Sequence, residues 1–182
     1  MSVDLQKPQS SETQQRSSLL KKGLIIVITL VFVATCSVGA MLTISGGMMF
    51  AGKRPTTIGI QPSGQLLSCP RTPNCVSSFS QDATHSIEPL TYQSTPTEAM
   101  AHLKSVIQDM ERTKIITETG NYLYAEFKSK LMGFVDDVEF LIDDSAKVIH
   151  VRSASRLGES DLGVNRQRIE TIRAKLNAVK SE

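Results

Sequence analysis

The heptapeptide FVDDVEF brings three carboxylates close together in the chain, Asp136, Asp137 and Glu139. Enzymes use carboxylates as general acids and bases, and hard metal ions bind to them. Two arginines, Arg152 and Arg156, follow in the segment VRSASR, and arginine forms strong paired hydrogen bonds with carboxylates. These residues therefore suit either acid/base chemistry or a structural network of ion pairs, and the elements that carry them decide between the two.

Two β-hairpins are predicted to carry these residues. The segments TKIITET and YLYAEFKS flank Gly120 and Asn121, and a leading glycine suits a two-residue hairpin turn. The segments FVDDVEFLID and KVIHVRSAS flank a short turn at Asp144 to Ala146. The sequence thus predicts four consecutive antiparallel strands, with the carboxylates in the third and the arginines in the fourth.

A two-residue turn at Ser145 and Ala146 fixes the register of the second hairpin, and this register gathers the apolar residues of both strands on one face. The predicted pairs are Ile142 with Ile149, Phe140 with Val151, Val138 with Ser153, Asp136 with Ser155, Leu141 with His150, Asp137 with Ala154 and Val135 with Arg156. On the other face Glu139 lies opposite Arg152. We expect an ordinary cross-strand ion pair there, worth roughly 0.2 to 1 kcal/mol.

Asp136 and Asp137 point to opposite faces because successive residues of a strand alternate, so they cannot share one proton as a catalytic dyad. Asp136 lies at the end of the apolar face, where an unpaired charge is costly. We expect Arg156, Arg166 or the N-terminus of the last helix to supply its donor. A structural role is the interpretation that we favour for Asp136, and acid/base catalysis is the alternative.

Two helices are predicted to flank the strands. The segment TPTEAMAHLKSVIQDMER offers a capping box, with Thr95 as N-cap, Pro96 at the first helical position and Glu98 at the third. The second helix is predicted from Val164 to Val179. Its candidate caps are Asp161 and Ser160. The apolar stripe of the first helix consists of Met100, Leu103, Ile107 and Met110. The apolar stripe of the second consists of Ile169, Ile172, Leu176 and Val179.

The fold class that follows is α+β, a four-stranded antiparallel sheet covered by two helices, behind an N-terminal transmembrane helix. Four regions are predicted along the chain. They are a disordered polar tail at 1–22, a transmembrane anchor or uncleaved signal at 23–52, an extended segment rich in proline and glycine at 53–92, and the α+β domain at 93–182.

The run from Gly23 to Gly52 contains no charged residue and is long enough to cross a bilayer as a helix. A cleaved signal peptide ending at Ala40 and a lipoprotein signal at Cys36 are alternatives, but each leaves a long apolar stretch beyond the cleavage site. We favour an uncleaved single-pass anchor because it explains the whole run. The flanking basic residues slightly favour a cytoplasmic N-terminus, so the domain is expected in a periplasm or a thylakoid-type lumen.

The segment 53–92 is expected to wrap the domain as an irregular extended chain. Its motif CPRTPNC separates Cys69 and Cys75 by five residues, which favours a small loop closed by a disulfide in an oxidising compartment. Half of a metal site and two reduced cysteines are the alternatives. No second cysteine pair accompanies the motif and the three histidines are scattered, so we expect neither a metal nor a cofactor.

The charge distribution argues against a nucleic-acid partner. Four of the 20 Lys and Arg residues and two of the 18 Asp and Glu residues precede residue 53, so the remainder carries 16 of each and is neutral. Nucleic-acid binding relies on a basic surface, and stacking relies on aromatic residues. Tryptophan is absent and aromatic residues make up 5% of the chain. The expected partners are the membrane and a protein in or on it.

Three segments, SCPRTPNCVSS, MGFVDDVEF and VRSASRLGESDLGVNRQRIETIR, resemble the uncharacterised family catalogued as domain of unknown function 1499. The resemblance spans about Leu66 to Leu176. It implies no established activity, substrate or cofactor. The family is widespread in bacteria and photosynthetic lineages, often behind a signal or membrane segment. The positions that match its motifs are Cys69, Cys75, Asp136, Asp137, Glu139, Arg152, Ser153, Ser155, Arg156, Asp161, Asn165 and Arg166.

Three functions from different classes fit these observations. We favour a non-enzymatic binding or assembly module for a protein or envelope component, because the sequence has no nucleophile triad, phosphate loop or metal-spaced cluster. A hydrolase-like enzyme is the second; its candidate residues are Asp136 or Asp137 as general base, Arg156 or Arg166 as anion-binding group and Ser153 or Ser155 as auxiliary donor. The third is a last helix acting at an anionic lipid surface. Its basic residues are Arg166, Arg168, Arg173, Lys175 and Lys180.

Overall fold

The computed structural model describes Arg16 and residues 21–36 and 50–179. The chain divides into two compact units, Met1–Ser45 and Gly46–Glu182. The second unit contains the carboxylates and arginines considered above.

The first unit contains a helix, α1, that includes residues 21–36. Within the described ranges, none of the helices combines the length and the apolar character needed to cross a membrane. The predicted anchor at 23–52 continues over residues 37–49, which lie outside the described residues. Most of the predicted tail at 1–22 lies outside them as well.

The second unit is built from six strands and two helices. In chain order they are β1 (Cys75–Ser77), β2 (Leu90–Thr91), α2 (Pro96–Gln108), β3 (Thr113–Thr119), β4 (Tyr122–Lys128), β5 (Val135–Asp143), β6 (Val148–Ser155) and α3 (Val164–Val179). All strand pairs are antiparallel, in the order β1-β6-β5-β4-β3, and β2 pairs with β6 beside β1. The predicted α+β class is confirmed.

The prediction of a four-stranded sheet is wrong, because the sheet has six strands. The two further strands, β1 and β2, lie in the segment 53–92, which the sequence predicts to be irregular. They are three and two residues long, too short for any alternating pattern to show. Both pair with the edge of β6, whose backbone groups would otherwise lack partners. Their formation depends on that distant edge, so their own sequence carries little signal.

Both predicted hairpins are confirmed, but the turn of the second spans four residues, 144–147, and not the predicted two. Gly120 and Asn121 form the two-residue turn between β3 and β4, and Gly120 has a φ of 41°. In the second hairpin, every pair predicted within the ladder is observed. The last predicted pair continues it through a hydrogen bond of 3.2 Å from the Arg156 backbone N–H to the Val135 carbonyl. The alternating pattern of apolar residues was therefore a sufficient guide to the register.

The two helices of this unit also match the prediction. Thr95 and Glu98 form the capping box at the start of α2, with Pro96 at the first helical position. Asp161 accepts hydrogen bonds from the backbone N–H groups of Gly163 (3.0 Å) and Asn165 (2.7 Å) and so caps the start of α3. The helix residues that are buried in the core are Ala99, Met100, Leu103, Val106, Ile107, Ile169, Ile172 and Leu176.

The sheet is covered on both faces. The helices α2 and α3 pack on one of them, here called the helix face, which contributes Leu123, Ala125, Phe127, Val138, Phe140, Ile142, Ile149 and Val151 to the core. Residues 50–67, here called the covering segment, lie over the other, here called the charged face. There Ile58 and Leu66 pack with Tyr122, Tyr124 and Leu141. All but the last residue of β5 are therefore buried.

A disulfide joins Cys69 to Cys75, the first residue of β1, as predicted. It closes the CPRTPNC loop at the edge of the sheet. Within this loop, Asn74 Nδ2 donates to the Gly158 carbonyl at 2.5 Å, and the Asn74 carbonyl accepts from Asn165 Nδ2 at 3.0 Å. The loop thus links the sheet edge to the start of α3.

Candidate functional site

Asp136 lies on the helix face and forms an ion pair with Arg168 of α3. The predicted donors are therefore wrong. Arg156 lies on the charged face, and Arg166 donates to the Thr84 carbonyl at 3.1 Å. Arg168 follows Asn165 by three residues, so both point from the same side of α3 towards the sheet. The spacing can be read from the sequence, but which arginine of α3 reaches Asp136 depends on how the helix crosses the sheet.

Asn165 is the centre of a hydrogen-bond network on the helix face and is fully buried. Its Oδ1 accepts from Ser153 Oγ and from Arg168 Nη1, both at 2.5 Å. Its Nδ2 donates to Ser155 Oγ and to the Asn74 carbonyl, both at 3.0 Å. An amide group has two donors and two acceptor sites, and all four are used here. This network fastens α3 to β6 and leaves no polar group of Asn165 for a ligand.

Arg168 completes this network. It donates to Ser153 Oγ at 3.0 Å in addition to Asn165 and Asp136, and its guanidinium lies 4.9 Å from the centre of the Phe127 ring. A cation over an aromatic face adds a favourable electrostatic contact. Asp136 is thus held by a partly buried arginine that is itself fixed by four neighbours, and a carboxylate so placed is a structural group.

Asp137 lies on the charged face and pairs with Arg156. Arg156 Nε donates to Asp137 Oδ2 at 2.9 Å and Arg156 Nη2 donates to Oδ1 at 2.6 Å, which is the bidentate geometry. Tyr124 donates its hydroxyl to the same Oδ1 at 2.5 Å. Both carboxylate oxygens are engaged, and Asp137 is 3% exposed. These contacts make Asp137 first of all the partner of Arg156 and Tyr124.

Glu126 extends this ion-pair cluster. It pairs with Arg156 and also accepts from Arg54 Nε of the covering segment at 2.6 Å. Burial alone would raise the pKa of Glu126, but the hydrogen bonds from Arg54 and Arg156 lower it to about 2. Burial likewise opposes the charge of Arg156, yet its bonds to Asp137 and Glu126 raise its pKa. For Tyr124, burial and the bond to Asp137 both raise the pKa, so its hydroxyl remains a donor.

Glu139 and Arg152 form the predicted cross-strand pair, but the pair is buried and is no ordinary surface contact. Glu139 is 0% exposed and accepts from the Gly59 backbone N–H at 2.7 Å, Tyr122 Oη at 2.9 Å and Arg152 Nη1 at 3.2 Å. Burial raises the pKa of Glu139 despite these bonds. The expected surface energy does not apply, because the covering segment removes water from both partners.

Arg152 retains one unsatisfied donor. Its Nε is the single buried side-chain nitrogen or oxygen in the described part of the chain that has no hydrogen-bond partner. Buried polar groups are almost always paired, so each exception needs an explanation. Sequence reasoning placed Arg152 opposite Glu139 but could not show that one of its donors would be left over.

A cleft of about 200 Å³ opens beside this arginine, between the covering segment and strands β5 and β6. Its residues from the covering segment are Lys53, Pro55, Ile58 and Leu67, and those from the sheet side are Asp137, Arg152, Ala154, Ser155 and Arg156. Three of these residues are cationic and one is anionic, and the anionic one is already paired with Arg156. Arg152 is likewise paired with Glu139, so the positive charge that remains at the cleft is that of Lys53, which suits an anionic group of a ligand.

The predicted site residues thus separate into two groups. Asp136, Ser153, Ser155, Asp161 and Asn165 lie on the helix face or at the start of α3, and their contacts fasten α3 to the sheet. The group on the charged face consists of Asp137, Glu139, Arg152 and Arg156. In the described ranges, no three His, Cys, Asp or Glu side chains come together in a way that could hold a metal ion.

The basic residues of α3 do not form a free cationic surface. Arg168 and Arg166 are engaged as described, Arg173 donates to the carbonyls of Pro89 and Glu88 at 2.7 Å, and Lys175 pairs with Asp109 at 3.0 Å. Lys180 lies outside the described residues. A lipid contact through these described side chains would require breaking their bonds within the domain.

A family model described as "Protein of unknown function (DUF1499)" matches residues 65–176, well over half of the chain. The chain belongs to this family. The match confirms the resemblance seen in the sequence, and it includes the sheet and helix residues of both hydrogen-bond networks but not Arg54 and Gly59 of the covering segment. The DUF1499 match begins after residues 50–64, so most of the covering segment precedes it. No curated protein matched the sequence.

Proposed function

We propose that this DUF1499 protein is a membrane-anchored, non-enzymatic binding module that takes an anionic group of a protein or envelope component into the cleft beside Arg152. Two observations carry the proposal: Arg152 has a buried Nε without a hydrogen-bond partner, and the same residue lines a cleft whose remaining charge is positive. A ligand carboxylate or phosphate that reached this donor would remove the penalty of an unsatisfied buried group. Lys53, at the mouth of the cleft, would add a long-range attraction.

The carboxylates support binding in preference to catalysis. Asp136 is paired with Arg168, Asp137 is held at both oxygens, and Glu139 has three donors around it. Nucleophilic and general-base mechanisms require an available group poised towards the reacting atom. The arrangement favours a preformed receptor for negative charge.

The Nε–H resonance of Arg152 tests the proposed ligand class directly. Full-length protein, labelled with nitrogen-15 in detergent micelles, is titrated with inorganic phosphate and separately with acetate at constant ionic strength. We expect a saturable shift of the Arg152 resonance, assigned by its loss in Arg152→Lys, and no shift for the exposed Arg71. A titration that leaves Arg152 unchanged, or moves both arginines alike, would show that the cleft is not an anion site.

The proposed anchor is the uncharged run at 23–52, and the domain is placed outside the cytoplasm. The run's length and the basic residues before it support this topology. In a Cys36→Ser background, single cysteines at Ser10 in the tail and Ala146 in the domain report the two sides. A membrane-impermeant maleimide is expected to label the Ala146→Cys variant in intact cells and the Ser10→Cys variant only after permeabilisation. The reverse pattern would overturn the topology.

A further inference from the structure

We infer that one end of the domain docks on the lipid surface of the membrane through two apolar loops. The loops are residues 129–134, between β4 and β5, and residues 157–163, between β6 and α3, and together they are called the loop end. The inference rests on the proposed anchor, because it takes the bilayer that holds the run at 23–52 as the surface that the loop end meets.

The sheet register places the two loops side by side. Lys128, the last residue of β4, pairs with Val135, and Asp136 pairs with Ser155, the last residue of β6. The C-terminal ends of β4 and β6 and the N-terminal end of β5 therefore lie at the same end of the sheet. The loops that leave these ends project in the same direction, away from the turn at 144–147.

Large apolar side chains are exposed at this end. Leu131 is 92% exposed and Leu162 is 93% exposed. Met132, Leu157 and Val164 are also exposed. Leu162 also has a φ of 54°, in the left-handed region that bulky residues rarely adopt. A group of exposed apolar residues at one end of a domain indicates an interaction surface.

The position of the segment that leads into the domain indicates which surface the loop end meets. Phe50 packs on Phe134 of the first loop, with ring centroids 5.2 Å apart. Gly52, at a φ of 65°, approaches so closely that an added Cβ would lie 2.9 Å from Arg156 Cβ and 3.1 Å from Leu157 Cγ. Phe50 and Gly52, at the end of the uncharged run, therefore lie against the loop end. We infer that a bilayer that held this run would meet the domain on the side of Leu131 and Leu162.

The charges around the loop end fit an anionic lipid surface. Lys53, Lys128 and Lys130 flank the loops and are exposed, and Glu159 is the exposed carboxylate among them. Basic residues beside exposed apolar ones are typical of surfaces that lie in the headgroup region, where the apolar groups enter the acyl boundary. An acidic protein could also bind these three lysines, so it is the competing partner for the loop end.

The absence of tryptophan from the sequence makes a direct test available. Three full-length variants, Leu131→Trp, Leu162→Trp and the control Ala146→Trp in the turn at the opposite end, each carry one reporter. They are reconstituted into vesicles of phosphatidylcholine and phosphatidylglycerol, with and without lipids brominated near the headgroup. We expect blue-shifted emission and strong quenching by the brominated lipids for the two loop variants, and neither effect for Ala146→Trp.

The outcomes separate the docking from the anchor. If the protein does not float with the vesicles, the anchor and the docking both fail. If it floats but the loop reporters are neither shifted nor quenched, the anchor stands and the docking is wrong. Blue-shifted emission without quenching would show that protein, such as a second copy of the chain, covers the loop end in place of lipid. Quenching of Ala146→Trp to the same extent would also overturn the inference, because the contact would not be specific to this end.

Discussion

The two faces of strands β5 and β6 carry similar residues under different covers. On the helix face, Asp136 and Arg168 belong to a network in which Asn165 uses all of its hydrogen-bonding groups. On the charged face, several ion pairs lie beneath an extended segment with no regular structure of its own. Arg152 keeps an unpaired donor there and also lines a cleft. The two networks therefore differ in hydrogen bonding, because every polar group of the Asn165 side chain is paired on the helix face, whereas Arg152 Nε has no partner on the charged face.

Asp136 and Asp137 have different roles in the two networks. Asp136 and Asp137 are neighbours in sequence, but the alternation of the strand sends them into separate networks. One network fixes a helix, and the other lines a candidate binding site. Proximity in sequence is therefore a poor guide to a shared chemical role within a strand.

The largest effect is expected when Arg156 is replaced on the charged face. In Arg156→Met, the buried Asp137 loses its bidentate partner and Glu126 loses one of its two arginines. An uncompensated buried charge typically costs about 3 to 5 kcal/mol. Denaturant unfolding of the full-length protein in a mild detergent measures this loss. A change below 1 kcal/mol would show that water already reaches Asp137 through the cleft.

The matched change on the helix face is Arg168→Met, for which we expect a smaller loss of about 2 kcal/mol. Asp136 loses its ion pair, but it lies at an open surface depression with Arg112 and Lys128 on its rim, where water can replace part of the interaction. The same unfolding measurement compares the two variants. A larger loss for Arg168→Met than for Arg156→Met would reverse the proposed ranking of the two faces.

The sequence predicted most of what local patterns can encode. Apolar alternation gave the register of β5 and β6, and the capping box at Thr95 gave the start of α2. The partner of Asp136 was missed because it depends on the path of α3 across the sheet. The burial of Glu139 was missed because its cover comes from Gly59, 80 residues earlier, in a segment without periodicity. Contacts between distant segments leave no trace in either sequence alone.

The pH dependence of the unfolding free energy tests the ion pairs of the charged face. The pKa of Glu126 is lowered from 4.5 to about 2 in the folded protein, so its stabilising effect is present above pH 4.5 and is lost as the pH falls towards 2. The loss should be about 2 kcal/mol, after allowance for solvent screening at the half-exposed Arg54. Burial raises the pKa of Glu139, so its protonation relieves a cost in acid and partly offsets the loss.

The contribution of ionised Glu126 is measured by comparing the unfolding free energies of the wild type and of Glu126→Gln between pH 6 and pH 3. The variant should be less stable at pH 6 and should show a shallower decline in acid. Parallel profiles for the two proteins would mean that Glu126 does not carry the acid sensitivity of the charged face.

The central claim is that the charged face, and not the helix face, binds an anion through Arg152. The most direct measurement is the gain in melting temperature that inorganic phosphate gives at constant ionic strength, because a ligand that binds only the folded state stabilises it. Full-length wild type, Arg152→Lys and Arg168→Lys are compared in the same detergent. We expect that wild type and Arg168→Lys gain stability with phosphate and that Arg152→Lys does not. An equal gain in all three proteins would contradict it.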